Sequence, residues 1–207
     1  DIEEVARGMG MDRRIGSNFL KAGIGYGGSC FPKDTKALNF QSDHAGVKLK
    51  TVKATIDVNR EQRTRLIDKA RRFFPTFRDV RVAIIGLTFK PGTDDLREAP
   101  AKQNIDILLN EGADIIAWDP LGAENFRKRY PNCAINFAKD IDEALTDADV
   151  CLIMTEWEKI VEYPLDNYKK YMKRPLVFDG RNCYKLSEAE KHEIFYDSIG
   201  RKIVDTL

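Results

Sequence analysis

Val80-Arg-Val-Ala-Ile-Ile-Gly86 predicts a buried β-strand, and the residues on its C-terminal side extend the pattern. Four of the residues in this run are Val or Ile, and the run ends at a glycine, which is typical of a strand covered on both faces. A helical pattern over residues 99–110 closes at Gly112, and a second apolar run follows over 114–118. Strand, helix and strand in this order predict a parallel sheet with helices packed against it.

The same alternation continues towards the end of the chain. Further strands are expected over residues 135–137, 150–155, 176–178 and 194–198, and short helices over 124–130 and 141–145. Right-handed crossovers between parallel strands give a doubly wound sheet. We therefore predict an α/β chain in which residues 79–207 form a mostly parallel, Rossmann-like domain.

Residues 1–78 have a different pattern, which predicts a helical region ahead of the sheet. A short helix is expected at the start of the chain and a longer one over residues 31–43. Pro32 lies near the first position of that helix, where its missing N–H leaves nothing unpaired. A loop with five glycines, from Gly16 to Gly28, separates the two helices.

A long helical pattern runs over residues 49–74 and stops at Pro75. Its apolar residues lie at the two ends, and residues 59–65 between them are wholly polar. We expect one long connecting helix, because so little apolar surface in the middle is typical of a helix that bridges two domains. The apolar ends then favour a homodimer through this helix. Two shorter helices with a bend are the alternative.

Composition excludes several classes of function. The chain has 34 Lys and Arg against 33 Asp and Glu, so its charge indicates neither nucleic-acid nor membrane-surface binding. The longest apolar runs, such as residues 150–154, are too short to span a bilayer. Four cysteines without a C-x-x-C pair, and only two histidines, predict no metal site. Unpaired thiols are typical of a cytoplasmic protein.

The glycine loop leads directly into a cysteine at a helix start. Glycines between residues 23 and 28 allow close approach of a ligand, and Cys30 follows at once. The positive end of the helix and Lys33 favour a thiolate, the nucleophilic form. Asp34 lies four residues on, on the same helical face, where a carboxylate can take a proton from an attacking water. A small core cysteine in a plain loop is the alternative, and the combination favours catalysis.

At these residues the chain resembles a known family. Gly25-Tyr-Gly-Gly-Ser-Cys-Phe-Pro-Lys-Asp34 is similar to the catalytic segment of the UDP-glucose and GDP-mannose dehydrogenase family, and residues 14–22 are similar to its UDP-glucose branch. The resemblance covers essentially the whole chain. It implies a central helical and dimerisation region with the catalytic cysteine over residues 1–78, and a UDP-binding domain over 79–207. It does not extend to the family's N-terminal NAD-binding domain, and we expect a longer protein upstream of Asp1.

The turn after the first predicted strand lacks a dinucleotide fingerprint. Gly86 does not begin a G-x-G-x-x-G run, and Asp119 lies further on than the ~20 residues expected of a ribose-binding acid. The sequence therefore does not favour a conventional NAD site in this domain. The resemblance implies instead that Lys90 contacts the nucleotide sugar and that Arg97 reaches NAD on the neighbouring domain. Solvated surface charges are the alternative for both.

The resemblance also implies roles for residues around the cysteine. Lys33 is expected to touch the cofactor, and Arg14 to reach a site in the partner subunit. Arg181 follows the predicted fifth strand, at the edge where open sheets bind ligands, so it is a candidate substrate contact or else a turn residue. The residues expected to line the substrate are Phe19, Leu20, Lys21, Ala22, Gly23 and Gly27.

The activity that the resemblance implies is a four-electron oxidation of UDP-glucose to UDP-glucuronate with NAD. Cys30 would capture the aldehyde as a thiohemiacetal, which becomes a thioester that water and Asp34 release. The family also uses a lysine and an asparagine that would precede Asp1, so the isolated chain is expected to be inactive. The alternatives are a GDP-mannose or UDP-N-acetyl-hexosamine dehydrogenase, and a non-catalytic nucleotide-sugar-binding or dimerisation module.

Overall fold

The computed structural model describes residues 1–206 and begins with a helical region. Its helices are α1 (Ile2–Gly10), α2 (Cys30–His44), α3 (Lys50–Gln62) and α4 (Arg65–Ala70). The glycine-containing segment between α1 and α2 forms neither helix nor strand, as predicted. Asp1 caps α1 by accepting a hydrogen bond from Glu3 N at 2.8 Å, which satisfies one of the free donors of the first turn.

The pattern over residues 49–74 folds as two helices, so the single long helix is wrong and the alternative with a bend is confirmed. Arg63 keeps helical dihedral angles, but Thr64, with φ −99° and ψ 5°, leaves them. The Arg63 carbonyl accepts a hydrogen bond from Nδ2 of the buried Asn104 at 2.8 Å. A side chain from a later helix therefore satisfies the backbone at the break.

Six parallel strands form one sheet. They are β1 (Arg81–Ile85), β2 (Asp114–Trp118), β3 (Asn136–Phe137), β4 (Val150–Ile153), β5 (Leu176–Asp179) and β6 (Phe195–Asp197). Their order is β3-β2-β1-β4-β5-β6, which confirms the doubly wound α/β prediction. The order reverses between β1 and β4, so the crevice at their carboxyl ends is the position where such sheets bind ligands.

Six helices accompany the sheet within the described residues. They are α5 (Pro100–Asn110), α6 (Gly122–Arg129), α7 (Ile141–Leu145), α8 (Glu158–Val161), α9 (Asp166–Tyr171) and α10 (Leu186–Lys191). The sequence predicted the first three but not the last three. These three have four to six residues each. None of the helices within residues 1–206 has the length and apolar composition needed to cross a bilayer.

The core lies on both faces of the sheet. Alternate strand residues such as Val82 and Ile84 pack on one face, and Ala83 and Ile85 pack on the other. Cys151 is buried in the second group.

The apolar residues of α4 and the turn after it belong to the core on the first face of the sheet. They are Leu66, Ile67, Ala70, Phe74 and Phe77. The expectation that the C-terminal end of the 49–74 pattern needs a partner chain is therefore wrong, because the sheet covers it. The domain division at residue 78 stays a prediction.

Candidate active site

The cysteine singled out from the sequence stands at a helix start. Cys30 is the first residue of α2, a helix of 15 residues, and its side chain is exposed. Ser29 Oγ lies 3.8 Å from its sulfur. The positive end of the helix dipole therefore lies beside an accessible thiol.

A charged pair follows the cysteine on the same helix. Lys33 Nζ and Asp34 Oδ1 are 2.9 Å apart, and both side chains are exposed. The Asp34 carboxylate, and more weakly the Cys30 sulfur, raise the pKa of Lys33. The thiol, the ammonium and the carboxylate therefore share one accessible turn, where the carboxylate can accept a proton.

A second cation reaches the cysteine from the loop after β1. Arg97 pairs with Asp95 at 2.8 Å, and its pKa is raised by Asp95 and, more weakly, by Cys30. The Arg97 carbonyl accepts a hydrogen bond from Gly28 N at 2.8 Å. The loop that follows the first strand therefore holds the backbone just before the cysteine and brings a guanidinium near its sulfur.

Two glycines before the cysteine are required by close packing. A Cβ on Gly27 would lie 2.5 Å from Glu98 O and 2.9 Å from Phe89 Cβ. Gly28 has φ +80°, and a Cβ there would lie 2.9 Å from the Phe89 ring. The glycine loop therefore contacts the sheet domain more closely than any side chain would allow.

Lys90 lies next to this contact. Its ammonium is 5.4 Å from the centroid of the Phe89 ring, close enough for a cation–π interaction, and the side chain is exposed. The ring itself packs against Gly27 and Gly28. Lys90 is thus brought to the same edge of the sheet as the cysteine loop.

Arg181 connects the carboxyl ends of the central strands to the glycine loop. Its Nε donates to Met154 O at 2.9 Å and its Nη1 to Gly25 O at 3.2 Å. Glu156 Oε2 lies 3.4 Å from Nε, and burial lowers the pKa of the guanidinium. Its Nη2 is buried with no hydrogen-bond partner among residues 1–206. Arg181 is therefore a largely buried bridge whose Nη2 group is left unpaired within these residues.

The glycine loop is also anchored by main-chain and apolar contacts. Ile24 N donates to Gly180 O at 3.0 Å, and the Ile24 side chain is fully buried in the core of the sheet. Ala22 packs partly against the same core. A Cβ on Gly23 would lie 3.0 Å from Arg181 Nη1. The segment from residue 22 to 28 thus lies along the edge that carries Arg181 and Lys90.

The start of the predicted substrate segment lies apart from this cluster. Within residues 1–206, the hydrogen bonds given by Arg14 all go to Asp12, at 2.6–3.0 Å, and the arginine is exposed. Phe19 is 92% exposed and has φ +63°, which is unusual for an aromatic residue. Lys21 is exposed and Leu20 is half-buried. Roles for these residues stay predictions.

Two residues that matter for the loop were missed from the sequence. Asn59 on α3 accepts a hydrogen bond from Tyr26 N at 2.7 Å and donates to Tyr26 O at 3.2 Å. Gln62, one turn later, donates to Gly23 O at 3.0 Å. The polar middle of the 49–74 pattern was interpreted as a connecting surface. Two amide side chains at i and i+3 are the signal that could have indicated a common contact.

The crevice beyond β1 does not fit a dinucleotide. Asp119, after β2, accepts hydrogen bonds from Leu87 N at 2.7 Å, Thr88 N at 3.2 Å and Trp157 Nε1 at 3.1 Å. The backbone donors of the first turn are therefore occupied by a carboxylate of the same domain. The next helix starts only at Pro100, so no helix N-terminus follows β1 directly to bind a pyrophosphate.

Comparison with known proteins gives the same family over both parts of the chain. Residues 1–61 match the central domain, and residues 83–186 the UDP-binding domain, of the UDP-glucose/GDP-mannose dehydrogenase family. UDP-glucose 6-dehydrogenase YwqF of Bacillus subtilis is 46% identical over 204 residues, which are 99% of this chain and 46% of that protein. TuaD of the same species, also a UDP-glucose 6-dehydrogenase, is 40% identical over 99% of this chain and 44% of its own length.

Solved structures give the same result. A UDP-glucose dehydrogenase from Pyrobaculum islandicum superposes with a TM-score of 0.81 and 29% identity, covering 94% of this chain and 42% of that one. The chain thus spans less than half the length of the relatives that it matches. With both of its parts matched, and with the cysteine loop held against the edge of a doubly wound sheet, the chain belongs to the UDP-glucose/GDP-mannose dehydrogenase family.

Proposed function

We propose that this chain is the C-terminal portion of an NAD-dependent UDP-glucose 6-dehydrogenase, which oxidises UDP-glucose to UDP-glucuronate. The observation that carries the proposal is the exposed Cys30 thiol at the start of α2, held beside Arg97 by a glycine loop. Two relatives that cover 99% of the chain, at 46% and 40% identity, are UDP-glucose 6-dehydrogenases. A nucleotide-sugar module without chemistry would not need an accessible thiol at a positive helix end.

The proposed substrate site lies between the glycine loop and the sheet edge. Arg181 and Lys90 supply cations for the diphosphate, and the buried Nη2 of Arg181 is a donor that a phosphate oxygen would satisfy. The sugar would then lie near Gly23 and Gly27, where the lack of side chains leaves the main chain open to close approach. Residues 19–22 line the outer side in this proposal.

NAD would supply the acceptor for the hydride in both oxidation steps. We expect it outside the doubly wound domain, because Asp119 occupies the backbone donors of the first turn. Lys33 and Arg97 are proposed to face it. Both are exposed cations on the side of the loop that carries Cys30.

The chemistry proposed for this chain rests on Cys30 and Asp34. The Cys30 thiolate adds to the aldehyde carbon of the oxidised sugar, and loss of hydride from that adduct leaves a thioester on the sulfur. A water then attacks the thioester carbonyl and passes its proton to Asp34, and the carbon–sulfur bond breaks to release the uronate and the thiolate. Asp34 pairs with Lys33 at 2.9 Å, so a cation beside it balances its charge between turnovers.

We also propose a homodimer formed through the helical region. The outer sides of its helices expose large apolar side chains, which a second copy would cover. Those on the helices are Val5, Met9, Phe31, Leu38, Phe40 and Val58. Arg14, exposed and paired only locally within residues 1–206, would reach the partner's substrate site.

The test uses Cys30→Ser and Asp34→Asn in the full-length enzyme, with NADH release and intact-protein mass measured after UDP-glucose and NAD are added. Cys30→Ser should abolish uronate formation, because a hydroxyl is a poorer nucleophile and leaving group. Asp34→Asn should slow turnover by ~10²–10⁴-fold and leave an acyl-enzyme of increased mass. Near-normal turnover in Cys30→Ser would overturn the assignment. Turnover with GDP-mannose or a UDP-N-acetyl-hexosamine but not with UDP-glucose would show that the proposed substrate is wrong.

A further inference from the structure

A carboxylate on the loop after β1 joins the cysteine helix to the bend between α3 and α4. Glu98 Oε1 accepts from Lys36 Nζ, on α2, at 2.9 Å. Glu98 Oε2 accepts from Arg63 Nη1, at the bend, at 2.7 Å. Lys36 first, and Arg63 next, hold the pKa of Glu98 below its ordinary value. One side chain therefore ties three separate segments together.

The backbone of the same residue contacts the loop that precedes the cysteine. Glu98 has φ +54°, a strained conformation that non-glycine residues adopt rarely. Its carbonyl lies 2.5 Å from where a Cβ on Gly27 would be, and its neighbour Arg97 accepts the hydrogen bond from Gly28 N. A strained conformation of this kind persists only where its surroundings fix it.

Arg63 extends the contact to the other side of the glycine loop. While Nη1 binds Glu98, Nη2 donates to Tyr26 O at 3.3 Å, the carbonyl that Asn59 also binds. Its Nε is buried with no partner among the described residues. Residues 26–28 are thus held from α3 on one side and from the loop after β1 on the other.

We infer that Glu98 is a positioning residue, which fixes the place of Cys30 relative to Arg97 by joining Lys36 and Arg63 to the loop after β1. The inference rests on the proposed function, in which Cys30 is the nucleophile. Without the carboxylate, the α2 helix and the Gly27–Gly28 contact lose their common anchor, and the charge of the largely buried Arg63 side chain is left unbalanced. The thiol would then no longer be held near the Arg97 guanidinium.

The experiment replaces Glu98 by Gln, which keeps the shape and removes the charge. In the full-length enzyme we expect kcat to fall by up to ~10²-fold with little change in KM for UDP-glucose, because misplacement of a reacting group costs about this much. Hydrogen exchange at Gly28 should become faster, and alkylation of Cys30 by iodoacetamide slower. Glu124→Gln is the matched control, because Glu124 also bridges two cations, Arg127 and Lys128, but on the exposed side of α6. It should leave all three measurements unchanged.

The outcomes separate this inference from the proposed function. Unchanged exchange at Gly28 and unchanged alkylation of Cys30 in Glu98→Gln overturn the positioning role, whatever the turnover. Slower alkylation of Cys30 with normal turnover also overturns it, because the position of the thiol would then not matter to the reaction. If Glu98→Gln does not fold, Lys36→Gln, at an exposed site, must show the same changes at smaller size or the inference fails. Normal turnover in Cys30→Ser contradicts the proposed function instead. Hydrogen exchange at Gly28 then tests only whether Glu98 holds the glycine loop in place.

Discussion

The two regions of this molecule are held together by different forces. In the sheet region every residue of β4 and β5 is buried, and helices cover both faces. In the helical region α1 has no buried residue, α2 buries only Pro32 and Ser42, and α3 only Asn59. The sheet is therefore stabilised by apolar burial, whereas the segment that carries the cysteine is positioned mainly by polar contacts, with the buried Ile24 as an apolar anchor.

This difference has a consequence for stability. A fully buried large apolar side chain contributes ~1.5–3 kcal/mol, and a typical hydrogen bond only about 0.5–1.5 kcal/mol net. Beyond the buried Ile24, the glycine loop depends on hydrogen bonds, from Asn59, Gln62 and Arg181. We expect it to open locally while the sheet stays folded, and the following substitutions test that expectation.

The largest effect is expected from the same substitution made in each region. Phe178→Ala, in the fully buried centre of β5, should lower the free energy of unfolding by ~3–5 kcal/mol, because it leaves a cavity. Phe40→Ala, on the exposed side of α2, should change it by less than about 0.5 kcal/mol at concentrations where the chain is monomeric and the proposed dimer does not cover this side chain. Urea unfolding of the isolated chain gives both values. Equal losses would mean that the helical region has a core of its own.

Substitutions of two glycines distinguish the effect of backbone strain from the effect of close packing. Gly28→Ala and Gly46→Ala both place an alanine at positive φ, +80° and +72°, which costs ~1–2 kcal/mol. A Cβ on Gly46 would meet nothing within 4 Å, whereas a Cβ on Gly28 would press on the Phe89 ring. Urea unfolding should therefore give a greater loss for Gly28→Ala, and only this variant should change the rate of Cys30 alkylation. A similar change of Cys30 alkylation in both variants would show that the Phe89 contact is unimportant.

Removing the amide that binds Tyr26 should affect the loop more than the whole chain. Asn59→Ala leaves the N–H and the carbonyl of Tyr26 without this partner. The loss should destabilise the folded loop by ~1–3 kcal/mol. Hydrogen exchange at Tyr26 should become faster, with exchange in β1 and β4 unchanged. Asn39→Ala is the control, because Asn39 bonds only to Asp43 and Ser42 on its own helix among the described contacts. Faster exchange in the sheet would contradict the separation of the two regions.

The smallest effect is a pH dependence that depends on Glu98. Lys36 and Arg63 lower the pKa of this carboxyl in the folded chain, so its contribution is present above its ordinary pKa and is lost as pH falls through the lowered one. The side chain is partly exposed, so solvent screening limits the contribution to ~0–1 kcal/mol. The unfolding free energies of the native chain and Glu98→Gln should therefore differ at pH 6 and converge towards pH 3. A difference in unfolding free energy that grew at low pH would show that the charged Glu98 carboxylate does not stabilise the folded chain.

The sheet could be predicted closely from the sequence because its signals are local. Apolar runs such as 82–85 and 114–118 declare buried strands, and Gly112 marks a helix end. Cys30 at a helix start could also be predicted, because Pro32 indicates where that helix begins.

The bend at Thr64 and the role of Asn59 could not be predicted in this way. The bend is stabilised by Asn104, 41 residues beyond Arg63, and Asn59 binds Tyr26 across 33 residues. Contacts over such separations leave no period in the sequence. The polar run over 59–65 was visible, but only the fold shows that Asn59 and Gln62 within it face the loop rather than solvent.

The hydrogen bonds from α3 reach the main chain of the glycine loop and not its side chains. Asn59 binds the amide and carbonyl of Tyr26, and Gln62 binds the carbonyl of Gly23. All amino acids except proline carry the same main-chain N–H and C=O groups, so a substitution at residue 26 by any of these others keeps its hydrogen bonds to Asn59. Mutation can therefore alter the shape and polarity of the loop surface while the frame beneath it stays in place. Related proteins with this fold can therefore differ in the ligand that the loop binds and still hold the loop with the same hydrogen bonds.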